Sequence, residues 1–162
     1  MQQRRQRAQG VKHADTGRRP ELARDASQDL FEILDERRYG WFYWSYDRGS
    51  DRGFNLLDQQ GNEYPLVEQL VRTYPFRTAG SLTKYHVNQV DGVFEMKYTE
   101  VAGVSGTTDI VVPPRRYPHG FRVESLDPAG TWSWTHDAVH NLVSVTANPA
   151  KHSHTVRVIP LP

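Results

Sequence analysis

Aromatic side chains crowd into one stretch of this sequence. Six of the 18 aromatic residues lie between Tyr39 and Tyr46, an unusual concentration for an ordinary core strand. A second pair, Trp132 and Trp134, is two residues apart, so that on a strand both rings share one face. Paired rings of this kind can form a platform for a sugar or dip into a lipid interface. The pair is therefore a candidate lipid or sugar contact, with packing between two sheets as the alternative.

Polar residues offer weaker candidates. His136 and His140 have the spacing of two metal ligands on a helix, but their segment reads as a turn between strands. Asp47 and Asp51 flank a glycine-containing loop, and two carboxylates without a third ligand are weak support for calcium. The sequence contains no cysteine, which excludes disulfides and thiolate chemistry. It therefore predicts no metal site and no cofactor.

The elements around the aromatic run indicate α/β structure. Apolar residues at three- and four-residue steps predict an amphipathic helix over residues 20–37 that is stopped by Gly40: Leu22, Ala26, Leu30, Ile33 and Leu34. Residues 41–46 are apolar on both faces, which predicts a strand buried on both sides, as in a parallel sheet. The loop of residues 47–55 follows the carboxyl end of that strand, where α/β folds bind ligands. Residues 65–71 predict a second, short helix.

From Tyr74 onwards, short alternating runs separated by Gly and Pro turns predict antiparallel strands. The predicted strands are 83–89, 93–99, 107–112, 120–125, 131–135, 141–147 and 153–159. Phe94, Met96 and Tyr98 alternate with polar residues, which indicates one face in a core. Residues 151–154 alternate as well and read as an exposed edge. The fold class is therefore mainly β: an antiparallel, Ig-like β-sandwich preceded by a helix–strand–helix piece.

Length and charge limit the function further. The chain has 162 residues, fewer than the roughly 250 of a complete α/β barrel. Its net charge of +1 combines +5 over residues 1–20 with −4 over the remainder. A basic start without interleaved aromatics reads as a solvated tail over residues 1–19, and no nucleic-acid partner is predicted. The sequence shows neither a signal peptide nor an apolar run long enough for a membrane span, and the compartment stays undetermined.

Two motifs resemble a known family. The run from Gly40 to Asp47, followed by Leu-Val-Arg-Thr-Tyr-Pro over residues 70–75, resembles the last barrel strand and the following segment of endoglycoceramidase-like enzymes in glycoside hydrolase family 5. Val-Val-Pro at 111–113 and the stretch 117–123 resemble the β-sandwich that follows that barrel. The resemblance covers roughly residues 22–160. It implies the end of a barrel over residues 20–76 and a sandwich domain over residues 77–162.

The resemblance also implies a chemistry. Members of the family cleave the glycosidic bond between a sugar and a lipid with retention, using two carboxyl groups about 5 to 5.5 Å apart. Neither family glutamate motif occurs here, and Glu63 echoes one only superficially, so no catalytic residue is expected in this chain. The resemblance implies that Trp44 stacks on the sugar and that Tyr46 lines the site. The implied partner is a glycolipid or glycoside bound by the full-length enzyme, with a membrane surface as a candidate contact.

Three functions follow as hypotheses. The first is the C-terminal part of a retaining glycosidase, inactive alone because both catalytic carboxylates are expected elsewhere. The alternative is a non-catalytic sandwich module that binds carbohydrate or membrane through Trp132 and Trp134. A purely structural cap on a barrel is the third, and it would bind no ligand.

Overall fold

The computed structural model describes residues 19–49, 55–88, 90–148 and 150–162, with side chains from residue 27 onward. The predicted tail up to residue 18 and Asp51 of the calcium hypothesis lie outside the described residues. The first helix, α1, spans Arg19–Arg37, and α2 spans Val67–Leu70, so both predicted helices are confirmed. The expected stop at Gly40 is wrong, because Arg38 already turns the chain with a φ of 57°. The backbone N–H of Tyr39 then donates to the carbonyl of Leu34 at 2.9 Å, which closes the helix end.

Eight strands are present in the described part of the chain. They are β1 (Tyr74–Arg77), β2 (Ser81–Val87), β3 (Phe94–Thr99), β4 (Thr108–Val111), β5 (Phe121–Ser125), β6 (Ser133–Asp137), β7 (Leu142–Thr146) and β8 (Ser153–Pro160). One antiparallel sheet has the order β1-β4-β7-β6 and the other β2-β3-β8-β5. The seven predicted strands are confirmed. Strand β1 was missed, and the expected division after residue 76 falls inside it.

The core lies between the two sheets. Phe94, Met96 and Tyr98 of β3 are fully buried, which confirms the predicted alternation along that strand. The other sheet contributes Ile110 of β4 and Val143 of β7, both also inaccessible to solvent. Fully burying one such side chain contributes about 1.5–3 kcal/mol. The buried core therefore makes the sandwich the stable part of the molecule.

The aromatic run does not form the predicted two-sided strand. Strands are stable only where their backbone groups pair with a neighbour, and in the described part of the chain no strand pairs with residues 41–46. Phe42, Trp44 and Tyr46 are 92%, 80% and 64% exposed, whereas Trp41 and Tyr43 are partly buried. The peptide bond between Trp44 and Ser45 is cis. The prediction of a buried strand is wrong, although the two sets of side chains do differ in exposure.

The predicted exposed edge at residues 151–154 is also wrong. Strand β8 lies inside its sheet, paired with β3 on one side and β5 on the other. His154 is only 1% exposed. Its polar ring is tolerated in the core because acidic side chains bind it, as described below. Among the described helices, none is long and apolar enough to cross a membrane.

Candidate functional site

The inner side of the aromatic segment, defined as residues 39–46, packs on helix α1. The rings of Trp41 and Phe31 lie 4.6 Å apart at an interplanar angle of 47°. The guanidinium of Arg72 lies 5.0 Å from the centre of the Phe31 ring, a cation–π contact. Trp41 therefore fixes the segment against the helix, while Phe42 and Trp44 remain exposed.

A buried ion pair holds α1 against the sandwich. Asp35 of α1 pairs with Arg72, which precedes β1, and both side chains are almost fully buried. Burial raises the pKa of Asp35, although the positive charge of Arg72 and a hydrogen bond from Tyr85 favour its ionised form. Burial and the nearby Asp35 carboxylate in turn raise the pKa of Tyr85 well above its usual range. Arg38 adds a hydrogen bond of 2.6 Å to the carbonyl of Thr83 in β2.

A cleft of about 560 Å³ opens where α1, the aromatic segment and the sandwich meet. Its walls are mixed: Trp41, Tyr74 and Tyr85 supply aromatic surface, and Arg38 supplies a positive charge. The buried Asp35–Arg72 pair also lines the cleft. The sequence could not predict this cleft because its walls come from elements on either side of α2.

Backbone hydrogen bonds fix the carboxyl end of the aromatic segment. The N–H of Leu56 donates to Ser45 at 3.2 Å, and the N–H of Leu57 donates to Asp47 at 3.0 Å. Leu57 also forms an isolated antiparallel bridge with Glu63. The end of the segment is therefore tied to the turn that precedes Glu63.

Side chains strengthen the same connection. The hydroxyl of Tyr46 donates to Oε1 of Glu63 at 3.0 Å, and Nη1 of Arg115 donates to Oε2 at 2.6 Å. These two donors hold the pKa of Glu63 below its usual range. The hydrogen bond to Glu63 and its negative charge raise the pKa of Tyr46. The predicted site residue Tyr46 is thus anchored, and Glu63, which was not expected to be catalytic, binds Arg115.

The 3₁₀ turn Pro114–Arg116 carries Arg115 and is hydrogen-bonded to helix α2 and the residues next to it. Nε of Arg115 donates to Oε1 of Glu68 at 2.9 Å. Arg116 donates from Nε to the carbonyl of Val71 at 2.5 Å and from its second nitrogen to the carbonyl of Glu68. The two arginines of one turn thus bind both ends of the short segment 63–71. These residues lie 45 to 52 positions apart, so sequence spacing gave no signal for them.

The second tryptophan pair lies at the start of β6, an edge strand of its sheet. Trp132 packs against the hydrophobic core, and the ring of Trp134 lies 6.1 Å from Phe121 and is 39% exposed. His136 packs edge-on against the same Phe121 ring at 4.9 Å. Contrary to expectation, His136 lies within β6 and not in a turn, while Nδ1 of His140 lies 2.7 Å from Asp137.

Sequence reasoning missed a buried charged cluster in the sandwich. Nδ1 of His154 lies 2.7 Å from Asp127 and Nε2 lies 3.0 Å from Glu100. Lys151 lies 3.1 Å from the second oxygen of Asp127. Burial alone would raise the pKa of Asp127, but the Asn148 N–H, His154 and Lys151 hold it below its usual range. Within the described residues, no group of three or more His, Asp or Glu side chains is arranged to hold a metal ion.

The class of the molecule follows from its sheets and from the helix joined to them. Two antiparallel four-stranded sheets, with α1 docked beside them, form a β-sandwich. Residues 72–158, more than half of the chain, match the glycoside hydrolase family 5 C-terminal domain. The chain belongs to this family. The predicted resemblance is confirmed, and so is the predicted mainly β class with an antiparallel sandwich; the helix–strand–helix piece lacks its strand among the described residues.

Individual relatives agree with the family. Endoglycoceramidase I of Rhodococcus hoagii (strain 103S) is 36% identical over 90 residues, which are 56% of this chain and 17% of that protein. The structure of endo-glycoceramidase II from Rhodococcus sp. in complex with ganglioside GM3 has a TM-score of 0.68 at 26% identity, covering 86% of this chain and 29% of that one. Sterylglucosidase 1 of Cryptococcus neoformans has a TM-score of 0.68 at 12% identity, covering 84% and 24%, and shares the fold. The chain thus spans less than a third of these relatives.

Proposed function

We propose that this chain is the C-terminal part of a retaining glycoside hydrolase that acts on glycolipids. Residues 20–73 would belong to the end of its barrel, and the sandwich, which begins with β1 at Tyr74, would support them. Trp44 would stack on the sugar and Tyr46 would line the site. The two catalytic carboxylates would come from the remainder of the barrel, and the chain alone would not hydrolyse substrate.

The exposure of Trp44 is the observation that carries this proposal. Its ring is 80% exposed, although burying an indole is strongly favourable. The neighbouring Trp41 is held against Phe31, so the segment is anchored and Trp44 is left free on its other side. A flat indole suits the apolar C–H face of a pyranose, while the hydroxyls of the sugar stay available to polar partners.

The relatives support a glycolipid as the substrate class. One is named an endoglycoceramidase, and another was solved with ganglioside GM3. A glycolipid presents a sugar head group joined to an apolar tail. An exposed aromatic face beside a cleft with apolar walls is compatible with both parts.

A complementation assay tests the proposal. The full chain is mixed with the part of Rhodococcus hoagii endoglycoceramidase I that precedes its matching region, and hydrolysis of a fluorogenic lactosylceramide analogue is followed. We expect turnover only when both parts are present. Trp44→Ala should reduce that turnover at least about 100-fold, since misplacing a substrate by about 1 Å costs that much.

Two controls make the assay decisive. The relative's own C-terminal part must restore turnover in the same assay, and Trp134→Ala in this chain should leave turnover unchanged. If the relative's part restores activity and this chain does not, the proposal is wrong. Equal losses for Trp44→Ala and Trp134→Ala would remove the assigned role of Trp44.

A membrane contact through Trp134 is the second candidate, because its ring is 39% exposed on the edge strand β6. Interfacial tryptophans partition into the headgroup region of bilayers. Co-sedimentation with phosphatidylcholine vesicles, with and without lactosylceramide, should fall in Trp134→Ala if this contact exists. Unchanged pelleting in that variant would dismiss it.

A further inference from the structure

The sandwich contacts the proposed sugar-binding segment through a connected set of side chains. Arg115 lies on the 3₁₀ turn between β4 and β5, which is built on the sandwich core. Its Nη1 donates to Glu63 at 2.6 Å, and the other oxygen of Glu63 accepts from Tyr46 at 3.0 Å. Tyr46 is two residues from Trp44. The three side chains therefore form a continuous path from the sandwich to Tyr46, two residues from the exposed indole.

We infer that Arg115 and Glu63 are positioning residues: they hold the Tyr46 hydroxyl, and through it the orientation of Trp44. The purpose of that orientation, which is sugar stacking, rests on the proposed function; the positioning itself does not. It assigns a role to the sandwich that neither the fold nor the family membership provides.

Geometry favours a positioning role over a purely stabilising one. Glu63 accepts from both donors through different oxygens, so its carboxylate plane is fixed from two sides. Arg115 is itself fixed by Glu68 of α2, which prevents it from following Glu63 if the segment shifts. These residues are partly exposed, and pairs of this kind contribute little to global stability.

The backbone alone leaves this orientation open. Hydrogen bonds from Leu56 and Leu57 hold the carbonyls of Ser45 and Asp47, which flank Tyr46. They fix the position of the chain but not the direction of the side chains. Phe42 and Trp44 have no comparable packing on their exposed side. The Tyr46 hydroxyl is a side-chain tether two residues from Trp44 that reaches outside the aromatic segment.

Fluorine NMR of the full chain labelled with 5-fluorotryptophan tests the inference. The four tryptophans give four resonances, and Trp44→Phe identifies the one from residue 44. Arg115→Met and Tyr46→Phe should each shift or narrow the Trp44 resonance and leave those of Trp132 and Trp134 in place. Arg115→Lys, which keeps the charge, should partly restore the original resonance.

Arg122→Met is the matched control, because it removes an exposed arginine that pairs with Glu124 on β5, outside the path. An unchanged Trp44 resonance in Arg115→Met, as in Arg122→Met, would overturn the inference. So would equal shifts of Trp132 and Trp134, which would indicate a global structural effect. Titration with lactose in the presence of the complementary barrel part then tests the function separately: if lactose never moves the Trp44 resonance while Arg115→Met does, the positioning role stands and sugar stacking fails.

Discussion

Glu63 and Tyr46 share one hydrogen bond, and each changes the acidity of the other. Arg115 and Tyr46 both donate to the ionised Glu63, which holds its pKa below the ordinary value of 4.5. A carboxyl whose pKa is lower in the folded state contributes stability above its unfolded pKa and loses it as the pH falls through the folded pKa. The path to Trp44 should therefore persist at neutral pH and break under acid conditions.

Titration of Glu63 provides a direct measurement. Its carboxyl carbon, followed by NMR, should titrate with a midpoint below 4.5 in the wild-type chain. Arg115→Met should raise that midpoint, because the charged donor that favours the ionised form is lost. Arg122→Met should leave it unchanged. A midpoint at or above 4.5 in the wild-type chain would contradict the prediction.

At the scale of single residues, the acidic partners of the buried His154 should contribute to stability. Nδ1 of His154 lies within hydrogen-bond distance of an Asp127 carboxylate oxygen, and Nε2 lies within hydrogen-bond distance of a Glu100 carboxylate oxygen. Removing one partner of a buried ionic group is costly because the remaining charges lose their compensation. We expect His154→Phe to lower the free energy of unfolding by about 3 kcal/mol in urea titrations.

The neighbouring His152 provides the control for that experiment. It is exposed, and substitutions at such positions usually change stability by less than about 0.5 kcal/mol. His152→Phe should therefore be nearly neutral. Equal losses in the two variants would show that the buried cluster has no special role.

At the scale of elements, a buried ion pair is a central contact between α1 and the sandwich. Arg72→Met would leave Asp35 buried without its cation, at a cost of about 3 kcal/mol. Because Asp35 belongs to α1, the loss should appear as faster hydrogen exchange of the amides of α1, with those of β3 protected as before. Arg37→Met, at the exposed last turn of the same helix, should leave exchange unchanged. Faster hydrogen exchange of the β3 amides in Arg72→Met would contradict this local effect.

Elements with local patterns were the ones that could be predicted. Helix α1 has a three- and four-residue apolar repeat, and β3 has strict alternation, so both are encoded within a few residues. Strand β1 is four residues long and contains Pro75, and its identity depends on pairing with β4 more than 30 residues away. The aromatic segment has the composition of a buried strand, but strand formation requires neighbours, and none pairs with it among the described residues.

The residues of the candidate site also differ in whether a local sequence pattern or a distant partner determines their role. The roles of Trp44 and Tyr46 stay predictions, which were possible because the local aromatic run resembles the last barrel strand of a known family. Arg115 binds Glu63 across 52 residues, and His154 binds Glu100 across 54. Such partners are joined only by the sheet topology, which composition and periodicity do not specify. Charge pairs between residues far apart in the chain therefore cannot be predicted from a single sequence.

At the scale of the whole molecule, the exposed aromatic face should determine how the chain behaves in solution. Phe42, Trp44 and Tyr46 are each more than half exposed, and aromatic side chains bury about 150–250 Å² each when covered. A contiguous apolar patch of a few hundred Å² marks an interaction surface or an aggregation risk. We expect the isolated chain to self-associate reversibly as its concentration rises.

Phe42→Ser tests this expectation without altering the residues assigned to sugar binding. Phe42 is 92% exposed, so the substitution removes apolar surface at little cost to the fold, and sedimentation velocity should show weaker association. Val139→Ser is the control, since Val139 is 84% exposed in the turn after β6. Association that is unaffected by Phe42→Ser, or equally reduced by both variants, would show that the aromatic face is not the surface through which copies meet. If the proposed function is correct, the complementary barrel part should suppress the association of the wild-type chain, because both would compete for the same rings.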